Sequence, residues 1–364
     1  MPELPEVETV VRDLRPRIVG AEISTARSSW ARTLRTHAPE AFAAAVRGHR
    51  IESVERRAKL LVVRLSGGLA LTIHLKMTGQ LFVVPADLPE DPYLRLVLAF
   101  TDGRELRFRD IRKFGRVGLY GRDPATGELV TELGGSAVFA RFGPEPLDPD
   151  FGLVQFRGRV RARKGRLKPL LLDQSFVAGI GNIYADEALW AARLHPLRSA
   201  ASLRPADERR LYLAIRSILA EAVERRGSSI DDYTAPDGDG AMQERLNVYQ
   251  RTGLPCPRCG RPIRRIVIGA RASHFCAWCQ RLPGTDRRAL ERSGGIRMLR
   301  PARARRPADE QAVATRTART KAAAATRRAA ARSNSGAASV VPPAVGGPAV
   351  APPAVAPPTV AGPG

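Results

Sequence analysis

Lysine is scarce in this chain: six lysines stand against 53 arginines in 364 residues, and five of the six precede residue 170. With arginine so preferred, each surviving lysine marks a position to be located in the fold. Cysteine is as rare, with four residues all between 256 and 279. A disulfide framework is not expected from so few cysteines in an intracellular protein, and metal binding becomes the first expectation. No apolar run approaches the roughly 20 residues of a membrane helix, and the opening MPELPEVETV is acidic where a secretory signal is basic. The chain is expected to be soluble and cytoplasmic, with no membrane partner.

Acidic residues are also in deficit, 36 against 59 basic ones, for a formal net charge of +23. Residues 285–332 carry 14 basic and 4 acidic side chains, net +10, which leaves +13 on residues 1–284. The excess is therefore not confined to the tail. Self-repulsion of this size is usually tolerated where a polyanion is the partner, and nucleic acid heads that list.

The chain is long enough for more than one domain. After Pro5, Val7, Val10, Val11 and Leu14 fall at helical spacing and Gly20 offers a stop. From about 50 to 120 short apolar runs (IESVERR, LLVVRL, LALTIHL, LRLVLAF, GRELRFRD) alternate with turn residues and predict an antiparallel β-sandwich. Helical stretches follow in NIYADEALWAARL and from Pro205 to Gly227, then a polar Gly/Asp-rich loop, 228–242. The reading is an α+β multidomain protein: a β-sandwich over 2–145, a helical domain over 151–245, a cysteine module over 246–282 and a disordered tail over 285–364. That tail is Arg/Ala-rich, then Ala/Pro-rich; it either adds unspecific DNA affinity or is a compositional extension.

Cys256, Cys259, Cys276 and Cys279 form C-x2-C-x16-C-x2-C, the spacing at which two tight turns bring four thiolates to one tetrahedral zinc. With every ligand position filled by cysteine, the zinc is expected to be structural. The isoleucines and valine between the pairs predict a β-ribbon, and its arginines suit phosphate contact.

At the other end, removal of Met1 would leave Pro2 as a secondary amine with Glu3 beside it. Attack of such an amine on a sugar C1′ gives an iminium, an electron sink for elimination of the 3′ phosphate. A Pro-Glu start alone is weak evidence, because an acidic first turn also suits a helix dipole. Joined in order to RRAKLL, HLKMTGQL, RDIRKFG, LLLDQSFVAGIGNIYADEALW and the four cysteines, it resembles the formamidopyrimidine-DNA glycosylase family over about residues 2–282.

The resemblance implies a β-sandwich, a helix-two-turn-helix domain and a zinc finger, acting on duplex DNA that holds an oxidised base. It implies that Pro2 is the Schiff-base nucleophile, Glu3 the acid at the deoxyribose, Lys59 the lysine of β-elimination and Arg271 the arginine of δ-elimination. A guanidinium is a poor proton donor, so phosphate binding is the firmer role for Arg271. Glu6 falls at a family acidic position. Met77, Arg112 and Phe114 match the trio that fills the gap left by an extruded nucleotide. Lys164, Lys168, Asn182 and Tyr93 match DNA-contacting positions, Tyr93 where histidine is more usual. The amides at the helix start after GIG are expected to face phosphate. Lys76 departs from the family, standing where glycine is frequent.

The expected activity is that of a monomeric bifunctional glycosylase and abasic-site lyase for 8-oxoguanine and formamidopyrimidines, working on the nucleoid in base excision repair. Two rivals remain: an endonuclease VIII-like enzyme for oxidised pyrimidines, and a DNA-binding module without catalysis.

Overall fold

The apolar stripe at the N-terminus forms α1 (Leu4–Ile18) in the computed structural model, which describes residues 1–123, 125–130, 138–229 and 240–292. Pro5 sits in the first turn, where its missing N–H has no helical partner to lose. Glu3 caps the helix, and Glu6 Oε2 reaches back to accept the Glu3 N–H at 2.8 Å. Gly20, at φ 86, turns the chain out of the helix.

Two antiparallel sheets follow. The first orders β1 (Ile23–Arg27), β6 (Leu94–Phe100), β7 (Arg104–Asp110) and β5 (Gly79–Pro85); the second orders β2 (Ile51–Arg57), β3 (Leu60–Leu65), β4 (Leu69–His74), β8 (Arg116–Arg122) and β9 (Leu129–Val130). Alternation decides which side chains meet between them. Leu61, Val63 and Leu65 of β3 enter one core with Leu96, Leu98, Leu106 and Phe108 of the first sheet and Val7, Val11 and Leu14 of α1. Each such side chain contributes about 1.5–3 kcal/mol on burial. Val62, pointing the other way, packs under Leu129 on the outer face. The expected sandwich is therefore present. The strands β1, β5, β8 and β9 and the helix α2 (Pro39–Val46) lay outside the sequence reading. β8 was hidden by its glycines: Gly118 leaves room for the Tyr120 ring, whose edge lies 2.6 Å from where a Cβ would stand.

The helical domain contains α3 (Leu153–Arg161), α4 (Leu167–Leu172), α5 (Asn182–Ala191) and α6 (Pro205–Glu224) around Phe156, Phe176, Tyr184, Leu211 and Ile215. The two long helices lie where the sequence put them; α3 carries three arginines in nine residues and α4 is only six residues long, so neither shows a clear period. Of the polar loop 228–242, residues 230–239 lie outside the described residues.

The ribbon is β10 (Arg264–Ile268) paired with β11 (Arg271–Phe275) through Gly269 and Ala270, both at positive φ as a two-residue hairpin with a type I′ turn requires. One expectation is corrected beyond it. The chain is not disordered from 285 but continues as α7 (Gly284–Arg292), whose Leu290 packs on Leu197, Ile266, Ile268 and Phe275. Ser202 Oγ also donates to the buried Asp286 at 2.8 Å. A single core-facing leucine gives no readable period, so composition misled there. The remaining tail, 293–364, lies outside the described residues. No helix among the described residues is long and apolar enough to cross a membrane.

Candidate functional site

The start of α5 receives the N-terminal segment from 178 residues away. Gly181, Ile183 and Tyr184 direct their N–H groups at the carboxylate of Glu3, at 2.7, 2.8 and 3.4 Å. Free amides at a helix start favour an anion, and here the anion is internal. Three amides of that turn are thereby engaged by Glu3 rather than by the expected phosphate. The approach demands glycine, because a Cβ on Gly181 would stand 2.5 Å from Glu3 Oε1.

Glu6 lies beside Glu3, fully buried, and accepts from Tyr184 Oη at 2.5 Å and from Ser228 N at 2.8 Å. Burial first, and the neighbouring Glu3 carboxylate second, push its proton affinity up. The Tyr184 phenol is driven well above its ordinary range by burial and by Glu6, so it remains a donor. Glu6 thereby ties the N-terminal segment to the first residue of the 228–242 loop.

Lys59 comes to the same place from the β2–β3 turn. Glu145 shapes that turn, accepting from Ala58 N at 2.6 Å and from Arg56 and Arg57 at 2.5 and 2.6 Å, while Ala58 takes the left-handed φ of 55°. Lys59 is 7% exposed, and burial lowers the proton affinity of its amine. Arg271 and Lys168 push in the same direction, against the attraction of Glu3 and Glu6. Pro2, buried, is adjacent in sequence to Glu3. The structure thus gathers Pro2, Glu3, Glu6, Lys59 and, from the exposed hairpin end of the ribbon, Arg271.

Lys168 does not belong to the accessible set. It is fully buried, pairing with Asp186 Oδ1 at 2.7 Å and donating to the carbonyl of Asn182 at 2.8 Å. A lysine so enclosed cannot meet DNA without dismantling that pair, and its work here is to hold the first turn of α5. Asn182 is that turn's half-buried first residue, whereas Lys164 stays exposed between α3 and α4. The other oxygen of Asp186 accepts from His274 N at 2.8 Å, and Glu187 accepts from the backbone of Asn247, Val248 and Tyr249 at 2.8–2.9 Å. One ten-residue helix therefore positions Glu3, the finger and the segment leading into it.

Two turns on the sandwich edge carry the gap-filling trio. Arg112 and Phe114 are exposed, the guanidinium 4.9 Å above the ring, and Met77 is half-buried. Buried Asp110 binds both turns, accepting from Thr78 Oγ1 and, at 2.6 Å, from Gly115 N, while Arg112 N donates to Thr78 Oγ1 at 3.2 Å. Tyr93 joins this edge through its carbonyl, which accepts the Asp110 N–H at 2.9 Å; its 40% exposed ring lies under Arg109.

In the finger, the sulfurs of Cys256, Cys259, Cys276 and Cys279 all lie within 4.8 Å of one another, with Cys259 and Cys276 at 3.5 Å. Zinc–sulfur bonds of about 2.3 Å in a tetrahedron place sulfurs about 3.8 Å apart. The four thiols fit one ion with no position left for substrate.

Comparison with known proteins gives the same three-part division. The formamidopyrimidine-DNA glycosylase N-terminal domain matches residues 1–117, its H2TH domain residues 142–234, and the zinc finger found in FPG and IleRS residues 253–282. The formamidopyrimidine-DNA glycosylase of Herpetosiphon aurantiacus is 47% identical over 282 residues, covering 77% of this chain and 100% of that protein. The chain belongs to the formamidopyrimidine-DNA glycosylase family. That of Chloroflexus aurantiacus is 46% identical over 282 residues, covering 77% of this chain and 98% of that protein. Among solved structures, a mutant Lactococcus lactis FPG complexed with a Fapy-dG containing DNA superposes with a TM-score of 0.71 at 36% identity, covering 77% of this chain and 100% of that one. The same protein with an abasic site containing DNA gives 0.70 at 36% identity, covering 77% and 99%.

As a formamidopyrimidine-DNA glycosylase family member, the chain is a base-excision DNA glycosylase carrying one structural zinc. Its departure at Lys76 falls on a left-handed φ of 58°, the conformation in which glycine carries no side-chain penalty. The sequence reading missed Asp186, Glu187, Tyr184, His74 and Glu145. The signal for the first two was present, an acidic pair inside an otherwise apolar helix. Removing the metal, by chelation or by Cys276→Ser, is expected to weaken binding to abasic-site DNA at least ~10-fold, because the ribbon that carries Arg271 depends on it. Elemental analysis and fluorescence anisotropy check this; undiminished affinity in metal-free protein would refute it.

Proposed function

We propose that the chain removes oxidised purines, 8-oxoguanine and formamidopyrimidines, from duplex DNA and then cleaves the strand, acting as a monomer on the nucleoid. The Lactococcus lactis FPG mutant is in complex with a Fapy-dG containing DNA, which supports that substrate class. In this reading the Pro2 nitrogen attacks C1′ and the glycosidic electron pair leaves with the base. Glu3 supplies the proton that lets the C1′–O4′ bond open to an iminium. Loss of a C2′ proton then expels the 3′ phosphate, and a second elimination expels the 5′ phosphate. Lys59 moves protons and balances charge at these steps; Arg271 holds a flanking phosphate. Met77, Arg112 and Phe114 occupy the space of the extruded nucleotide, and Tyr93, Asn182 and Lys164 contact the backbone.

The observation that carries this reading is the lodging of Glu3 on three amides at the α5 start, in one cluster with Lys59 and directly after Pro2. The test of substrate class is strand cleavage on matched duplexes holding 8-oxoguanine or thymine glycol. Faster turnover of 8-oxoguanine by ~10-fold or more is expected. Preference for thymine glycol would assign the chain to oxidised pyrimidines instead.

A further inference from the structure

A cleft of about 470 Å³ opens on the outer face of the five-stranded sheet. Three cations line it, Arg35, Lys76 and Arg116, together with His74, Tyr120 and Phe142, and no carboxylate does among the described residues. Lys76 has its proton affinity lowered by burial and then by the charges of Arg116 and Arg35. His74 adds no charge: burial and the nearby lysines bring its pKa down to about 3, and its Nδ1 accepts the Lys76 N–H at 3.0 Å. Arg116 is held by the carbonyls of Lys113 and Gly115 at 3.2 and 2.8 Å, so its guanidinium is fixed rather than free to swing into solvent.

Such a site is costly when empty. A lysine at φ 58° bears a left-handed backbone penalty, and it is half-buried beside two like charges. An anion would reverse the electrostatic part. The location says which anion arrives: Leu60 on one wall follows Lys59, Lys76 precedes Met77, and Arg116 lies two residues after Phe114. The cleft therefore lies between the candidate catalytic lysine and the gap-filling edge.

We propose that this cleft binds one backbone phosphate of the DNA, clamped by Lys76, Arg35 and Arg116, as an anchor additional to the catalytic cluster. The proposal rests on the function given above. A phosphodiester there would hold the duplex against the edge that carries Met77, Arg112 and Phe114 and so favour extrusion of the nucleotide.

The test is equilibrium binding of the full chain to duplex with an uncleavable abasic-site analogue over a range of salt. Lys76→Gln is expected to reduce the slope of log K against log salt by about 0.9 and to weaken binding roughly five-fold near physiological salt, the share of one phosphate. Lys76→Arg should retain wild-type behaviour, and adding Arg35→Gln to Lys76→Gln should remove no second unit of slope. Replacing single phosphates by uncharged methylphosphonates should reveal one position at which wild type falls to the affinity of Lys76→Gln and the variant does not change. An unchanged slope in Lys76→Gln, or no such position, overturns the proposal. Competition at this cleft by inorganic phosphate alone, without a slope change on DNA, would assign it to a free anion and overturn the DNA anchor equally. Lesion binding by the wild type, measured in the same titrations, keeps this outcome separate from failure of the proposed function.

Discussion

Protein that keeps residues ahead of Pro2, for example under an N-terminal tag, is expected to give no borohydride-trapped adduct with lesion DNA. In the processed chain the Pro2 nitrogen is a secondary amine with an available lone pair. Behind another residue it is an amide nitrogen, planar and conjugated, with no lone pair to offer C1′. Pro2→Gly restores an amine but loses the ring that fixes its direction, and product formation is expected to fall on the order of 10³-fold. The measurement is single-turnover cleavage alongside trapping, with the tag removed by protease as the rescue. Undiminished trapping in tagged protein would move the nucleophile elsewhere, Lys59 being an amine that the structure places beside Glu3.

A methyl group at residue 181 is expected to be nearly as damaging, although it carries no chemistry. In Gly181→Ala the new Cβ would stand 2.5 Å from Glu3 Oε1 and 2.6 Å from its Cγ, so the carboxylate must leave the amides of Gly181 and Ile183. Displacement by about 1 Å costs on the order of 10²-fold in rate, and a buried carboxylate stripped of hydrogen bonds costs more stability than the about 1–3 kcal/mol of a neutral group. Base excision should therefore fall ~10²-fold. Strand cleavage at a preformed abasic site should fall less, because the abasic hemiacetal opens to its aldehyde without the proton that Glu3 supplies. Thermal unfolding separates the two losses: a fully folded Gly181→Ala protein with wild-type excision would show that Glu3 does not act from this position.

What could be read from the sequence follows the range of the interactions involved. The cysteine quartet needs only two local turns and a hairpin, so spacing revealed it. Long helices with one apolar stripe, α1 and α6, were equally plain. Lys168 was misjudged because a lysine beside a glycine-rich turn looks the same in sequence whether it faces solvent or Asp186, 18 residues away. The occupancy of the α5 amides was hidden for the same reason, since Glu3 and Gly181 are 178 residues apart. The α7 helix escaped because Leu290 is its single core-facing anchor. Roles for Met77, Arg112 and Phe114 came from resemblance alone; composition would have placed two of them in the core, and the structure leaves Phe114 45% exposed.

Because Tyr184, Asp186 and Glu187 take hold of three different segments from successive positions on α5, the distance between the N-terminal segment and the zinc ribbon is not an adjustable hinge length. It is set by helical pitch, about 1.5 Å and 100° per residue. The N-terminal segment and the zinc ribbon share one ruler. Sequence drift can alter either end separately only while those three side chains keep their angular order, which makes α5 the part of the molecule that lengthens or shortens last.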